Sequence, residues 1–183
     1  YYGDRGADVV NEESAAGTGF LADVAQEWEA AAQPARDAGI RVVHLRLGVV
    51  LSSSGGPLAL MLPPFKFGLG GPIGSGDQYL SWVTLRDVVR SIDHVLNDDG
   101  LSGTINVVAP TPVSQRQFAA SLGRVLRRPT VLSLPSWAVS LRLGEMGREL
   151  LLASTRVEPT RLKASGYAFE HDDLDTALRD LLI

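Results

Sequence analysis

The sequence predicts an α/β protein: the C-terminal part of a Rossmann-like doubly wound parallel sheet, followed by a small, mostly helical lobe. Its best strand is the β-branched apolar run at residues 40–51, which is typical of a parallel strand covered on both faces. Helical patterns at residues 20–32 and 85–96 alternate with this run and with a second apolar strand at residues 104–108, as in βαβ units. A length of 183 residues, 45% of them hydrophobic, suits one domain or slightly more.

The composition argues against several classes of function. The chain has no cysteine, which excludes a disulfide framework and thiolate chemistry. A net charge of −4 disfavours binding to the phosphates of nucleic acids. No apolar run approaches the roughly 18 residues of a membrane span. We therefore expect a cytoplasmic protein that binds a small molecule, and neither nucleic acid nor membrane.

The first forty residues hold a polar, turn-rich segment and then one helix. Apolar side chains from Leu21 to Ala32 recur at three- and four-residue spacing, which predicts an amphipathic helix with one apolar stripe. We expect Thr18 to be its N-cap and Pro34 to kink or end it, because proline lacks an amide hydrogen.

The middle of the chain contains a proline pair and a glycine-rich segment. Pro63 and Pro64 predict that the helical pattern at residues 58–67 is limited to one or two turns. The segment from Gly68 to Gly76 could present backbone amides to a phosphate. It lacks the Gly-Lys-Ser/Thr of a P-loop, and no helix follows it directly. Phosphate or ligand contact and a structural crossing loop are both consistent with this segment.

Two capping boxes mark the starts of the next helices. In Thr84–Asp87 the threonine hydroxyl should accept from the amide of Asp87, whose carboxylate should reach back. Residues 114–117, Ser-Gln-Arg-Gln, repeat the pattern. We read both as structural. Farther on, the sequence predicts a short strand at 131–134 and helices at 135–152, 159–165 and 172–182.

Few side chains suggest chemistry on their own. The three histidines, His44, His94 and His171, lack the spacing of metal ligands, so we expect no metal site. Tyr1 and Tyr2 are phenols, and a phenol serves as a general acid when a nearby cation lowers its pKa. No lysine lies near them in the sequence.

Taken together, these pieces resemble the atypical and extended short-chain dehydrogenase/reductase superfamily. The resemblance rests on the opening Tyr-Tyr-Gly, on residues 46–51 (RLGVVL) and on residues 74–88 (GSGDQYLSWVTLRDV). Residues 61–83 and 134–170 are very similar to a subgroup called NAD-dependent epimerase/dehydratase or epimerase family proteins, which has its own C-terminal domain.

The resemblance implies a cofactor, NADP or NAD, and a set of site residues. It places residues 1–109 in the C-terminal half of an NAD(P)-binding domain and residues 110–183 in a substrate-side lobe. The nicotinamide would contact Leu47, Gly48, Val49 and Val50, and Tyr2 would be catalytic. The substrate cleft would include Tyr1, Arg46, Gly74, Ser75, Gly76 and Gln78.

Two departures from the family pattern limit what the resemblance implies. The glycine-rich dinucleotide fingerprint is absent from these residues, so we expect the chain to be the C-terminal portion of a longer protein. Alone it should be inactive, expose apolar strand edges and associate. The family's Tyr-x-x-x-Lys pair is also absent: its alignable positions hold Phe20 or Leu21, and Val24 or Ala25.

The longer protein would be an NAD(P)-dependent oxidoreductase or epimerase-like enzyme for an unknown small substrate. The alternative is a non-catalytic nucleotide-binding sensor or assembly protein of the same fold. A third reading is an α/β domain that binds no nucleotide at all.

Overall fold

The computed structural model describes residues 1–137 and 152–183, which form an α/β fold with parallel strand pairs, as the sequence predicts. The predicted helix at 135–152 lies almost entirely outside the described residues. The strands are β1 (Val9–Val10), β2 (Val43–Leu47), β3 (Val49–Leu51), β4 (Tyr79–Leu80), β5 (Trp82–Thr84), β6 (Gly103–Val107), β7 (Val113–Ser114) and β8 (Arg156–Val157).

The described strands pair two by two, and the central extended run, residues 43–51, changes its partner at Gly48. Its first part, β2, pairs in parallel with β6, and its second part, β3, pairs in parallel with β5. At the change, the Gly48 amide donates to the carbonyl of Val107 at 3.1 Å, and the Val49 amide donates to that of Ser81 at 2.8 Å. Two short ladders flank this centre: β1 and β8 are parallel, and β4 and β7 are antiparallel.

Seven described helices accompany the strands, and their bounds correct two predictions. The first helix begins after Gly19, with φ 110°, and not after Thr18, and no side chain caps it. The third runs through Pro63 and Pro64 to Lys66 and is longer than predicted; the carbonyls of the two prolines accept from the amides of Phe67 and Leu69 at its C-terminal end. The helices are α1 (Phe20–Ala30), α2 (Gln33–Asp37), α3 (Gly56–Lys66), α4 (Leu85–Asn97), α5 (Gln115–Leu126), α6 (Thr160–Ala164) and α7 (Leu174–Leu182).

Two apolar surfaces are less covered than the sequence predicts. Of the predicted stripe on α1, no member is buried, and Trp28 is 76% exposed; the buried residue of this helix is Ala22. The β2 strand is not enclosed on both faces, since four of its residues are half-buried and Leu47 is exposed. Periodicity identifies an apolar face, but it does not say what packs against that face. Both surfaces border one open cleft.

The core and the helix caps fix the elements that carry this cleft. One cluster packs α3, α5 and α7 around the fully buried Trp82, and another packs α4 and α6 against β5 and β6.

The Ser114 capping box is confirmed: the Ser114 hydroxyl lies 3.2 Å from the Gln117 backbone amide, and the Gln117 side-chain Oε1 lies 2.8 Å from the Ser114 backbone amide. The predicted strand at 131–134 is wrong, because only Leu134 forms a single β-bridge.

The other predicted box is half right. The Thr84 hydroxyl accepts from the Asp87 amide and donates to Asp87 Oδ2, both at 3.2 Å, but the Asp87 carboxylate does not accept from the Thr84 amide as a capping box requires. It accepts instead from the Tyr167 hydroxyl and from the amides of Glu170 and His171.

In the part of the chain that the structure describes, no helix is long and apolar enough to cross a membrane.

Candidate functional site

A cleft of about 1220 Å³ lies between α1, the β2–β3 run and the segments at residues 1–4 and 152–157. Most of its lining is apolar, and α1, β2 and β3 contribute a large share of it. Polar groups converge at one place, where Tyr1 and Tyr2 meet Arg46 of β2, Tyr2 also meets Asn106 of β6, and Arg46 in turn meets Glu29 of α1. This convergence makes it the candidate site.

An ion pair forms the centre of the site. Arg46 projects from β2 and meets Glu29 on α1 through two hydrogen bonds, Nε to Oε1 at 2.7 Å and Nη2 to Oε2 at 2.8 Å. The side chains are only 11% and 22% exposed, so this fork is held in a low-dielectric wall and not in open solvent. The Arg46 guanidinium also lies 3.2 Å from the centre of the Tyr1 ring.

The Tyr2 hydroxyl joins this ion pair to the sheet. It accepts a hydrogen bond from Arg46 Nη1 at 3.0 Å and donates one to Asn106 Oδ1 at 2.8 Å. Asn106 is oriented in turn, because its Nδ2 donates to the carbonyl of Glu158 and its backbone amide donates to Glu12 Oε1. A continuous chain of contacts therefore runs from Glu29 to Asn106.

The pKa values follow from burial and from this chain of contacts. Burial raises the pKa of Tyr2 above its usual value, by more than the hydrogen bond and the charge of Arg46 lower it. The hydrogen bonds from Arg46 lower the pKa of Glu29, although burial acts in the opposite direction. Burial alone would lower the pKa of Arg46, but the hydrogen bonds to Glu29 and Tyr2 outweigh this effect, so the pKa of Arg46 is raised above its usual value. At neutral pH the site holds a protonated phenol beside a permanent cation.

The structure brings together two groups of predicted site residues. Leu47, Gly48, Val49 and Val50 all line the cleft, as do Tyr1, Tyr2 and Arg46. Their roles toward a cofactor and a substrate stay predictions. Glycine is required at position 48, because a Cβ atom there would lie 2.6 Å from the carbonyl oxygen of Ser81 and 2.8 Å from Val108 Cγ1.

The predicted substrate residues at 74–78 lie elsewhere. Gly74, Ser75, Gly76 and Gln78 are not among the residues that line the cleft. The Gly74 amide donates to Leu134, the Gly76 amide donates to Ile73, and the Gly76 carbonyl accepts from Arg116 at the start of α5. Because two of the loop's amides are already taken, this geometry favours a structural crossing loop over a phosphate cradle. Substrate contact by these residues stays a prediction.

Sequence reasoning missed two members of the site, Glu29 and Asn106. They lie 17 and 60 residues from Arg46 along the chain, so no local pattern links them to it. One signal was available: an arginine inside an apolar strand needs an acidic partner when it is buried. Within residues 1–137 and 152–183, no group of three His, Cys, Asp or Glu side chains is arranged to hold a metal ion.

Gly48→Ala tests how closely the site's backbone is packed. We expect the variant to lower the free energy of unfolding by about 1–3 kcal/mol, because backbone atoms of Ser81 must move to admit the methyl group. Urea unfolding followed by circular dichroism measures the change. Gly55→Ala is the matched control: a Cβ atom at Gly55 meets nothing within 4 Å, and its φ of −179° is ordinary extended backbone. Equal losses in the two variants would contradict the packing argument.

Comparison with known proteins gives a consistent set of relatives. Residues 134–181 match a family model described as a domain of unknown function, DUF1731. The epimerase family protein Mb2239 of Mycobacterium bovis is 45% identical over 178 residues, which are 97% of this chain and 59% of that protein. The chain therefore spans less than two thirds of the length of this curated relative.

Solved structures extend the same likeness. The crystal structure of human epimerase family protein SDR39U1 (isoform 2) with NADPH matches 99% of this chain and 61% of the human chain, with a TM-score of 0.93 and 36% identity. A nucleoside-diphosphate sugar epimerase from Corynebacterium glutamicum matches 98% of this chain and 34% of its own, with a TM-score of 0.76 and 36% identity.

Proposed function

We propose that the chain belongs to the epimerase family of atypical short-chain dehydrogenase/reductases, and that its cleft is the nicotinamide and substrate site of an NAD(P)-dependent, epimerase-like oxidoreductase. The observation that carries this proposal is the arrangement of the cleft: the Tyr2–Arg46 pair and the apolar residues 47–50 line the same space. We propose NADP as the cofactor, because the human relative was crystallised with NADPH.

The residues of the cleft fit one end of the cofactor. When bound, a nicotinamide supplies or accepts a hydride at a substrate carbon. Leu47, Val49 and Val50 would offer it an apolar wall, held in place by the close packing of Gly48 on Ser81 and Val108. The 183 residues include no glycine-rich strand-to-helix fingerprint for the pyrophosphate. These residues would therefore bind only the nicotinamide end.

Tyr2 is the proposed proton donor. The positions of the usual Tyr-x-x-x-Lys pair, Phe20 or Leu21 and Val24 or Ala25, carry neither a phenol nor an ammonium group. Arg46 takes the role of the lysine, because a guanidinium that donates to the Tyr2 oxygen at 3.0 Å stabilises the phenolate left after proton transfer. Burial raises the pKa of Tyr2, so the phenol is protonated in the neutral range, and the opposing effect of Arg46, which lowers that pKa, is what favours release of the proton.

A second function has an observation of its own. The Tyr2 residue is 5% exposed, and its hydroxyl already makes hydrogen bonds to Arg46 and Asn106. A phenol used in this way positions a loop without transferring a proton. That favours a non-catalytic protein that binds the nucleotide as a sensor or an assembly partner.

The Tyr2→Phe variant, made in the full-length natural protein, distinguishes the oxidoreductase from the non-catalytic nucleotide-binding protein. We expect NADPH binding, followed by its fluorescence, to stay within a factor of about two, while turnover of a panel of carbonyl compounds falls about 100-fold or more. Thermal unfolding checks that the variant is folded. Unchanged turnover would remove Tyr2 from the chemistry. NADPH binding without any turnover by the unmodified protein supports the sensor, and failure to bind either dinucleotide refutes both functions.

The same proposal divides the chain into a cofactor domain and a substrate-side lobe. Residues 1–109 would belong to the cofactor domain, and residues 110–183 to a substrate-side lobe that joins it through the β4–β7 ladder. A cytoplasmic location and a small-molecule partner complete the proposal.

A further inference from the structure

The described lining of the cleft has few charges, and its acidic groups outnumber its basic ones. Of the described residues that line it, Asp4, Glu29 and Arg46 are the ones that carry a formal charge. Burial lowers the pKa of the one histidine in the lining, His44, so its imidazole is neutral near pH 7. Arg46 is thus the single cation among the described lining residues, and Glu29 occupies two of its donors. Tyr2 takes another.

A nucleoside diphosphate needs groups that this lining does not offer. Its phosphates are commonly bound in proteins by unpaired Arg guanidinium or Lys ammonium groups, or by the exposed amides of a helix N-terminus. Two described helices begin near the cleft. The first turn of α3 contributes Pro57, which has no amide hydrogen, and the first turn of α1 carries Asp23, whose charge repels an anion.

The remaining lining surface is apolar and rich in rings. Apart from residues 47–50, which are assigned to the nicotinamide, the cleft is lined by the exposed Trp28 and by the rings of Tyr1 and Tyr79. Contact with the apolar atoms of a ligand would remove this surface from water, which favours binding. The Tyr2 hydroxyl and the Arg46 guanidinium are the polar groups that a ligand oxygen could meet. The lining therefore matches a ligand with one oxygen function on an apolar body.

We infer that the substrate of this cleft is an uncharged, largely apolar carbonyl compound or alcohol, and not a nucleoside-diphosphate sugar. The inference rests on the proposed function and narrows its substrate class. It separates this chain from its relative in Corynebacterium glutamicum, which is named for nucleoside-diphosphate sugars. The fold is shared, but the charge that a diphosphate requires is neutralised here by Glu29.

Binding measurements test the inference with two probes, 4-phenyl-2-butanone and UDP-glucose, on the protein as its cells produce it. Saturation-transfer NMR and tryptophan fluorescence report binding without any turnover, and Trp28→Phe identifies the signal that comes from the cleft. We expect the ketone to bind at least about tenfold more tightly than UDP-glucose. UDP-glucose binding as tightly as the ketone, or no binding of the ketone at millimolar concentration, would overturn the inference.

Glu29→Gln provides the sharper test, because it removes the charge that neutralises Arg46. We expect UDP-glucose to bind about three- to tenfold more tightly to this variant, in a salt-dependent manner, and the ketone to bind as before. Glu27→Gln, an exposed residue of the same helix that does not line the cleft, is the matched control. Unchanged UDP-glucose affinity in Glu29→Gln would refute the role of charge. A parallel NADPH titration separates failure of this inference from failure of the proposed function.

Discussion

Replacing Asp87 with asparagine is expected to lower the free energy of unfolding by about 2–4 kcal/mol. Asp87 is 1% exposed and lies in the first turn of α4. Its Oδ1 accepts from the Tyr167 hydroxyl and the Glu170 amide, both at 2.9 Å, and its Oδ2 accepts from the His171 amide at 3.0 Å. Asparagine turns one of these acceptors into a donor that faces other donors, so at least one buried bond is lost.

The pH dependence of stability provides a second readout of Asp87. Burial, and then the hydrogen bond to Asp87, raises the pKa of Tyr167 well above its usual value. The folded protein keeps this proton where the unfolded chain, with a tyrosine pKa of about 10, loses it. Stability from this group is therefore complete below about pH 10 and falls above it, by up to about 1.4 kcal/mol per pH unit. We expect a shallower fall in Asp87→Asn.

Asp93→Asn is the control on the same helix. Asp93 is exposed, and its carboxylate accepts from Asn97 at the surface, so the change should cost less than about 0.5 kcal/mol. Urea unfolding of the two variants at pH 7 and pH 10.5 (about half a unit above the free tyrosine value) gives both readouts. If Asp87→Asn unfolds at the same urea concentration as Asp93→Asn, the buried carboxylate does not hold the C-terminal segment to α4.

Asp87 also shows why local patterns predict only part of the structure. The Thr84 hydroxyl and the Asp87 amide are three residues apart, and the bond between them could be read from the sequence. The Asp87 carboxylate accepts from the nearby Thr84 hydroxyl, but its other donors, Tyr167, Glu170 and His171, are 80 or more residues away and join α4 to the C-terminal segment. The Ser114 box, whose bonds are all local, was predicted completely.

The candidate site divides in the same way. Tyr1, Tyr2, Arg46 and residues 47–50 were predicted through the family resemblance, and the fold gathers them at one cleft. Glu29 and Asn106 became visible only when α1 and β6 were placed beside β2. A buried arginine requires an acid, but a sequence with 21 acidic residues does not say which one.

Arg46→Met, which keeps a long apolar side chain and removes the charge, should lower the free energy of unfolding at pH 7 by about 2–3 kcal/mol. The physical reason is the unpaired carboxylate of Glu29 that remains in a mostly buried wall. The Glu29→Gln/Arg46→Met double variant should regain part of this loss, because it removes the isolated charge as well. Urea unfolding of the single and double variants measures the coupling between the two side chains.

Measuring stability at decreasing pH tests whether loss of the Arg46–Glu29 ion pair causes the lower stability of Arg46→Met. In the unmodified protein Arg46 lowers the pKa of Glu29, so the pair's contribution is complete above the unfolded glutamate value of about 4.3 and is lost as the pH falls through the lower folded value. In Arg46→Met burial alone would raise the Glu29 pKa, which reverses the sign: acidification should then relieve the variant. The stability gap between the two proteins should therefore be constant near pH 7 and narrow on acidification between the raised Glu29 pKa of the variant and the lowered Glu29 pKa of the unmodified protein. A gap that does not change with pH would assign the loss to packing of the Arg46 side chain on Tyr1 and not to its charge.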